Sequence, residues 1–166
     1  MFEPALYWIK DVAPHRLALM ARPRGADWLA DEVAGWRRAG VDCVVSLLEA
    51  PEIRELELEQ ERVLCEQAGI DFHEFPIKDR GVPGSVHKLT PLLETLYERL
   101  KAGGIVAIHC RAGIGRTGLV AGCLLHMLGV PYKGIFPMLS RGRGLMMPDT
   151  DEQATWVQRF AARRVV

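Results

Sequence analysis

Residues 105 to 118 read Ile105-Val106-Ala107-Ile108-His109-Cys110-Arg111-Ala112-Gly113-Ile114-Gly115-Arg116-Thr117-Gly118, and the apolar stretch Leu119 to Leu125 follows. An apolar run, a glycine-rich turn and an apolar stretch of helical length predict strand, loop and helix in that order. Amide N–H groups at the start of such a helix lack partners one turn earlier. Together with the helix dipole they form a receptor for a phosphate-sized anion. Cys110 stands at its mouth. Amide donors and the Arg116 guanidinium favour thiolate over thiol, so the segment is expected to offer an oxyanion cradle and a nucleophile together.

Two other glycine loops compete for these letters. Gly113-x-Gly115-x-x-Gly118 fits a dinucleotide fingerprint, which needs an acidic residue about 20 positions on for the ribose; from Arg99 to Pro148 there is no Asp or Glu. A nucleotide P-loop would require Cys110 in place of its first glycine and Arg116 in place of its lysine. The cysteine would crowd the backbone's approach to phosphate, whereas an arginine fork holds two oxygens of one terminal phosphate. Both rivals are set aside.

Around this segment the pattern alternates. Leu6 to Ile9 and Arg16 to Met20 predict a short strand pair about the Ala13-Pro14-His15 turn, and a helix runs from Asp27 to a Gly40 cap. Val41 to Leu48 reads as a buried strand. Pro51 to Ala68 reads as one helix with Ile53, Leu56, Val63 and Leu64 inward and its glutamates on a solvated face. Ile70 to Ile77 predicts a strand, Leu89 to Lys101 a helix, and Tyr132 to Leu139 and Asp149 to Ala162 two closing helices. Strands separated by helices imply an α/β fold, a mainly parallel central sheet with helices on both faces. The turns after Ile77 and Cys110 fall at carboxyl ends of strands, where such sheets place ligands, so Asp79 is expected to face Cys110 across one cleft.

The 166 residues, 49% of them hydrophobic, suit a single domain spanning 1–166. Net charge is zero, which argues against indiscriminate nucleic-acid binding, but the charges are segregated. Between Glu49 and Asp79 ten acids stand against three bases, a net −7, while Arg99 to Pro148 carries seven bases and no acid. The longest apolar run before Pro23, Ala5 to Ile9, is short for a signal-peptide core, so a cytoplasmic location is expected. His126 and Pro131 interrupt the best membrane candidate, and no membrane span is expected. Cys43, Cys65, Cys110 and Cys123 contain no C-x-x-C pair, so neither a metal site nor a disulfide framework is expected. Cys43 and Cys65 read as buried small hydrophobes, with a reversible disulfide to an oxidised Cys110 as the alternative.

His109-Cys110, five residues, then Arg116-Thr117 resembles the signature of the cysteine-dependent protein tyrosine phosphatase superfamily. Phe75 to Pro83 is similar to the general-acid loop of small dual-specificity phosphatases of the kinase-associated subgroup, and Arg141-x-Arg143-Gly144 with Asp149 to Gln153 is similar to the segment after their catalytic helix. The resemblance implies a phosphotyrosine protein phosphatase-like fold and hydrolysis of phosphotyrosine, with phosphoserine and phosphothreonine as further substrates, through a phosphocysteine intermediate. It also implies no cofactor and a phosphorylated protein as partner; the sequence does not reveal the oligomeric state, and a monomer is the expectation. Cys110 is then the nucleophile, and Arg116 and the amides of Arg111, Ala112, Gly113, Ile114 and Gly115 bind the phosphoryl oxygens. Asp79 is the acid, Thr117 stabilises the departing thiolate, and His109 orients the loop.

Other readings of the same residues are a phosphoinositide phosphatase, for which Arg111 speaks and Ile114 does not, and a phosphoprotein-binding module without turnover. Low-molecular-weight phosphatases and arsenate reductases place nucleophile and acid in the opposite order. Arg141 and Arg143 are expected to assist the cleft or pair with Asp149 and Glu152. The resemblance to larger relatives implies that Gln153 positions the hydrolytic water, and Met138, Met146 and Met147 are expected to fill the core or its rim.

Overall fold

The computed structural model describes residues 2–163. Five strands form one sheet: β1 (Tyr7–Trp8), β2 (Arg16–Met20), β3 (Cys43–Ser46), β4 (Asp71–Glu74) and β5 (Ile105–His109), in the order β1-β2-β5-β3-β4. β1 runs antiparallel to β2, and the remaining pairs are parallel. Side chains alternate across the sheet. Val106 and Ile108 enter one core with Leu17, Leu19, Cys43 and Val45, while Ile105 and Ala107 enter the other with Ala18, Met20 and Val44.

Helices cover both faces. α1 (Leu29–Arg38) and α3 (Glu61–Gln67) close the second core through Leu29, Val33, Trp36 and Cys65. α4 (Val86–Lys101), α5 (Gly115–Met127), α6 (Tyr132–Arg143) and α7 (Asp151–Arg163) close the first. α5 is buried from Gly115 to Leu125. That is the expected place for a helix apolar on every side. Every residue of β5 is buried as well, so the predicted strand and helix flank their loop as the central elements of the molecule.

One predicted element divides in two. Instead of a single helix over 51–68 there are α2 (Ala50–Glu55) and α3, broken around Glu57, which has a left-handed φ of 57°. The break is held from outside: the Ala26 N–H donates to Glu57 O at 3.0 Å, and Leu58, 2% exposed, turns into the core. Val63 is exposed rather than inward, while Glu52 and Glu61 are buried. The acidic run is therefore more than a solvated face. Among the described residues no helix is long and apolar enough to cross a membrane.

Candidate active site

The loop between β5 and α5 is shaped by what its carbonyl oxygens bond. Arg111 O accepts from the Arg22 N–H at 3.0 Å, Ala112 O from Arg143 Nη2 at 3.0 Å, and Gly113 O from Arg143 Nε at 3.3 Å. These donors all lie outside the loop. In a planar trans peptide the C=O and the next N–H point in opposite directions. The N–H groups of Ala112, Gly113 and Ile114 therefore turn inward, adding to the amides that open α5. Gly113 permits this path: its φ is +74°, and an added Cβ would lie 2.5 Å from Met20 O.

Cys110 is 3% exposed, and the Thr117 hydroxyl donates to its Sγ at 3.0 Å. Strand pairing delivers Asp79. Beyond β4 the Phe75 and Ile77 N–H groups continue to bond Ser46 O and Leu47 O, carrying the chain to Asp79 beside the Cys110 loop. Arg116 bridges the two walls. Its Nη1 donates to Ile77 O at 2.9 Å, and its Nη2 reaches the exposed Asp79 Oδ1 at 3.2 Å.

Arg116 is itself held by a residue the sequence reading passed over. Glu52 receives the guanidinium through both carboxylate oxygens, at 2.7 and 3.0 Å, with the arginine side chain 1% exposed. Burial would raise the Glu52 carboxyl, but the hydrogen bonds from Arg116 and the Glu49 N–H, with the Arg116 and Arg111 charges, outweigh it and hold the group below its usual range. Burial likewise works against the Arg116 charge, and the Glu52 bond, with Cys110, Glu52 and Asp79 nearby, reverses the balance.

Glu61 is the second residue not anticipated. His109 is fully buried, with Nδ1 3.2 Å from Cys110 O and Nε2 2.6 Å from Glu61 Oε2. A carbonyl and an ionised carboxylate only accept, so against them both ring nitrogens donate, the arrangement of a cationic imidazole. The direction of its titration agrees: burial disfavours the charge, but Glu61 overcomes it and raises the His109 pKa. The sequence signal for both acids lay in the charge segregation, since the acidic block faces the basic one.

Other expectations are redirected. Arg143 assists the loop, as described, and its guanidinium lies 4.0 Å from the Tyr7 ring centroid, whereas Arg141 pairs with Asp11; neither pairs with Asp149 or Glu152. Arg111 pairs with Glu55 at 3.2 Å and approaches Glu52 at 3.8 Å. Met147 is buried, but Met146 is 89% exposed and fills nothing. Gln153 is fully buried, its amide donating to Gly81 O at 3.1 Å.

Neither cysteine proposed as a redox partner is within reach of Cys110. Cys43 pairs with Val106, four residues before Cys110, which at roughly 3.3 Å per residue places it about 13 Å away, beyond disulfide geometry. Burial pushes its thiol up to about 12. Cys65 lies in the core on the other face of the sheet. Among the described residues no group of three His, Cys, Asp or Glu is placed to hold a metal ion.

Residues 18–129 match the family model described as "Tc-R-P: Polymorphic toxin system, DSP-PTPase phosphatase". The chain belongs to this DSP-PTPase family. It is similar to a protein of Invertebrate iridescent virus 3 named for tyrosine phosphatase activity (067L), at 38% identity over 111 residues covering 64% of this chain and 43% of that protein. Human cyclin-dependent kinase inhibitor 3 is 42% identical over 62 residues, covering 37% of this chain and 29% of its own. The chain thus spans less than half the length of these relatives. Two solved structures share the fold over nearly its whole extent. Kinase associated phosphatase, crystallised with its catalytic cysteine replaced by serine, superposes with a TM-score of 0.88 at 23% identity, covering 99% of each chain. The active form of Tk-PTP superposes at 0.78 and 29% identity, covering 98% of this chain and 100% of that one. The DSP-PTPase assignment and the α/β fold read from the sequence agree.

Proposed function

We propose that this chain is a single catalytic domain that hydrolyses phosphotyrosine, with phosphoserine and phosphothreonine as further substrates, on phosphoproteins of the cytoplasm. The observation that carries the reading is the loop itself. A nearly buried sulfur sits at the floor of a ring of inward amides, with a hydroxyl on it and an arginine and a carboxylate at its rim. Cys110 thiolate attacks phosphorus in line, forming the S–P bond as the ester P–O bond breaks. The amides of residues 111–116, those of 112–114 turned inward, and Arg116 hold the equatorial oxygens, whose charge is greatest in the transition state.

Asp79 gives its proton to the departing oxygen, then as carboxylate takes a proton from the water that attacks the phosphocysteine. Inorganic phosphate leaves and Cys110 returns as thiolate, stabilised by the Thr117 hydroxyl bond. His109, cationic and bonded to the Cys110 carbonyl, orients the loop without touching substrate. The pairing of Arg111 with Glu55 and Glu52 favours a protein substrate over a polyphosphorylated lipid headgroup, because it reduces the free positive charge at the rim.

Purified protein incubated with an aryl phosphate and a metal chelator tests this. Release of phosphate is expected, abolished in Cys110→Ser and reduced about 10²- to 10⁴-fold in Asp79→Ala, the usual range for a general acid. Turnover that survives Cys110→Ser would remove the mechanism. Parallel assays on phosphotyrosyl and phosphothreonyl peptides and on phosphoinositide vesicles rank the substrate classes; preference for the vesicles would replace the protein reading by the lipid one.

A further inference from the structure

The acid sits in a tight turn that is held at both ends. Lys78 to Gly81 closes through the Gly81 N–H donating to Lys78 O at 2.7 Å, and Arg80 takes a left-handed φ of 62° at its third position. On the near side Arg116 holds Ile77 O. On the far side Gln153 Nε2 donates to Gly81 O at 3.1 Å. Asp79 lies between these two anchors.

Gln153 is fixed from its own side too. Thr150 Oγ1 accepts from the Gln153 N–H at 3.1 Å, and Gln153 Oε1 accepts from the Thr150 N–H at 3.2 Å, a reciprocal cap at the start of α7. The amide orientation follows, since the Thr150 N–H requires an acceptor and the Gly81 carbonyl a donor. The same segment seats against the catalytic loop: a Cβ added at Gly115 would lie 2.6 Å from Asp149 Oδ2 and 2.9 Å from Gln153 Oε1. One fully buried side chain therefore touches the start of α5 and the turn that carries the acid.

We propose that Gln153 is a positioning residue for the general acid, holding the Lys78–Gly81 turn against the catalytic loop so that Asp79 stands in place before substrate arrives. The proposal rests on the phosphatase reading and assigns Gln153 a part in leaving-group protonation rather than in water placement. An acid contributes most when the leaving group is a poor one. A displaced Asp79 should therefore impair phenyl phosphate, whose phenoxide needs a proton, far more than an aryl phosphate with an acidic phenol. A loss of structure impairs both alike.

Gln153→Glu keeps an oxygen for the Thr150 N–H but removes the donor to Gly81 O, while Gln153→Met removes both at similar length. Thr150→Val removes the hydroxyl cap and leaves the bond to Gly81, serving as the matched control for helix capping. In either Gln153 variant kcat on phenyl phosphate is expected to fall about 10- to 100-fold, the scale of a roughly 1 Å misplacement of a catalytic group. The activated ester and vanadate inhibition should change less than about threefold, well inside that scale. Thr150→Val should leave the ratio between the esters unchanged, and Gln153→Glu should add nothing in an Asp79→Asn background. Equal losses on both esters, or losses that add to those of Asp79→Asn, overturn the proposal. Failure of the unmodified protein to hydrolyse either ester overturns the phosphatase reading instead.

Discussion

At the scale of single residues the site turns on how a buried guanidinium is kept charged and aimed. Arg116 has almost no contact with water, so its charge depends first on Glu52, with Cys110 and Asp79 behind it, and the bidentate pairing also fixes the plane of the guanidinium. Removing one partner of such a pair leaves an uncompensated buried charge, a loss of about 3–5 kcal/mol. Glu52→Ala is therefore expected to lower the unfolding free energy by about that amount and kcat/KM by on the order of 10²-fold or more, the effect of losing one aligned oxyanion donor. Vanadate binds through the same aimed guanidinium, so it should raise the thermal midpoint of Glu52→Ala less than it raises that of the unmodified chain. An equal shift in the two proteins would show that Glu52 does not aim Arg116.

Among elements, the strand, loop and helix from Ile105 to Leu125 were legible because each is fixed locally: an apolar run, glycines where backbone must approach backbone, and a helix apolar on every side. The conformation of the loop predicts its own sensitivity. Gly113→Ala must either shift Met20 or abandon the positive φ that turns the amides inward, so phosphate and vanadate affinity should fall steeply while the fold persists. Arg143→Ala unties two loop carbonyls and should weaken the same affinities by about 1.5–3 kcal/mol, the usual worth of charged hydrogen bonds. Unchanged inhibition constants in both variants would show that the outer carbonyls do not shape the cradle. The division of residues 51–68 was not legible, because Leu56-Glu57-Leu58-Glu59 contains no helix breaker and the break is imposed by the Ala26 N–H and by burial of Leu58. That break has a consequence for the site. Nine residues along a continuous helix turn about 180° beyond whole turns, so Glu52 and Glu61 would lie on opposite faces. Broken at Glu57, the chain brings one to Arg116 and the other to His109.

Across the whole molecule the two charge blocks seen in the sequence face each other: Arg99 meets Asp71, Arg111 meets Glu55, Arg116 meets Glu52 and Asp79, and cationic His109 meets Glu61. Composition revealed the blocks but not their pairing, which depends on how α2 and α3 dock beside β5. The innermost pair makes stability depend on pH in a definite direction. His109 titrates above its ordinary 6.5 in the folded protein, so folding favours the proton. Stability from this source is complete below 6.5, where folded and unfolded chains are both protonated, and is lost as pH rises through the raised folded value. Glu61→Gln keeps the shape but removes the charge that holds the proton. Urea unfolding should show the variant less stable by about 1.5–3 kcal/mol at pH 6, the worth of a charged hydrogen bond. The gap should narrow steadily at alkaline pH as the unmodified chain loses its proton. A gap that stayed constant or widened with rising pH would mean that the buried imidazole is neutral, and the loop would then be oriented by a dipole rather than by an ion pair joining α3 to the catalytic strand.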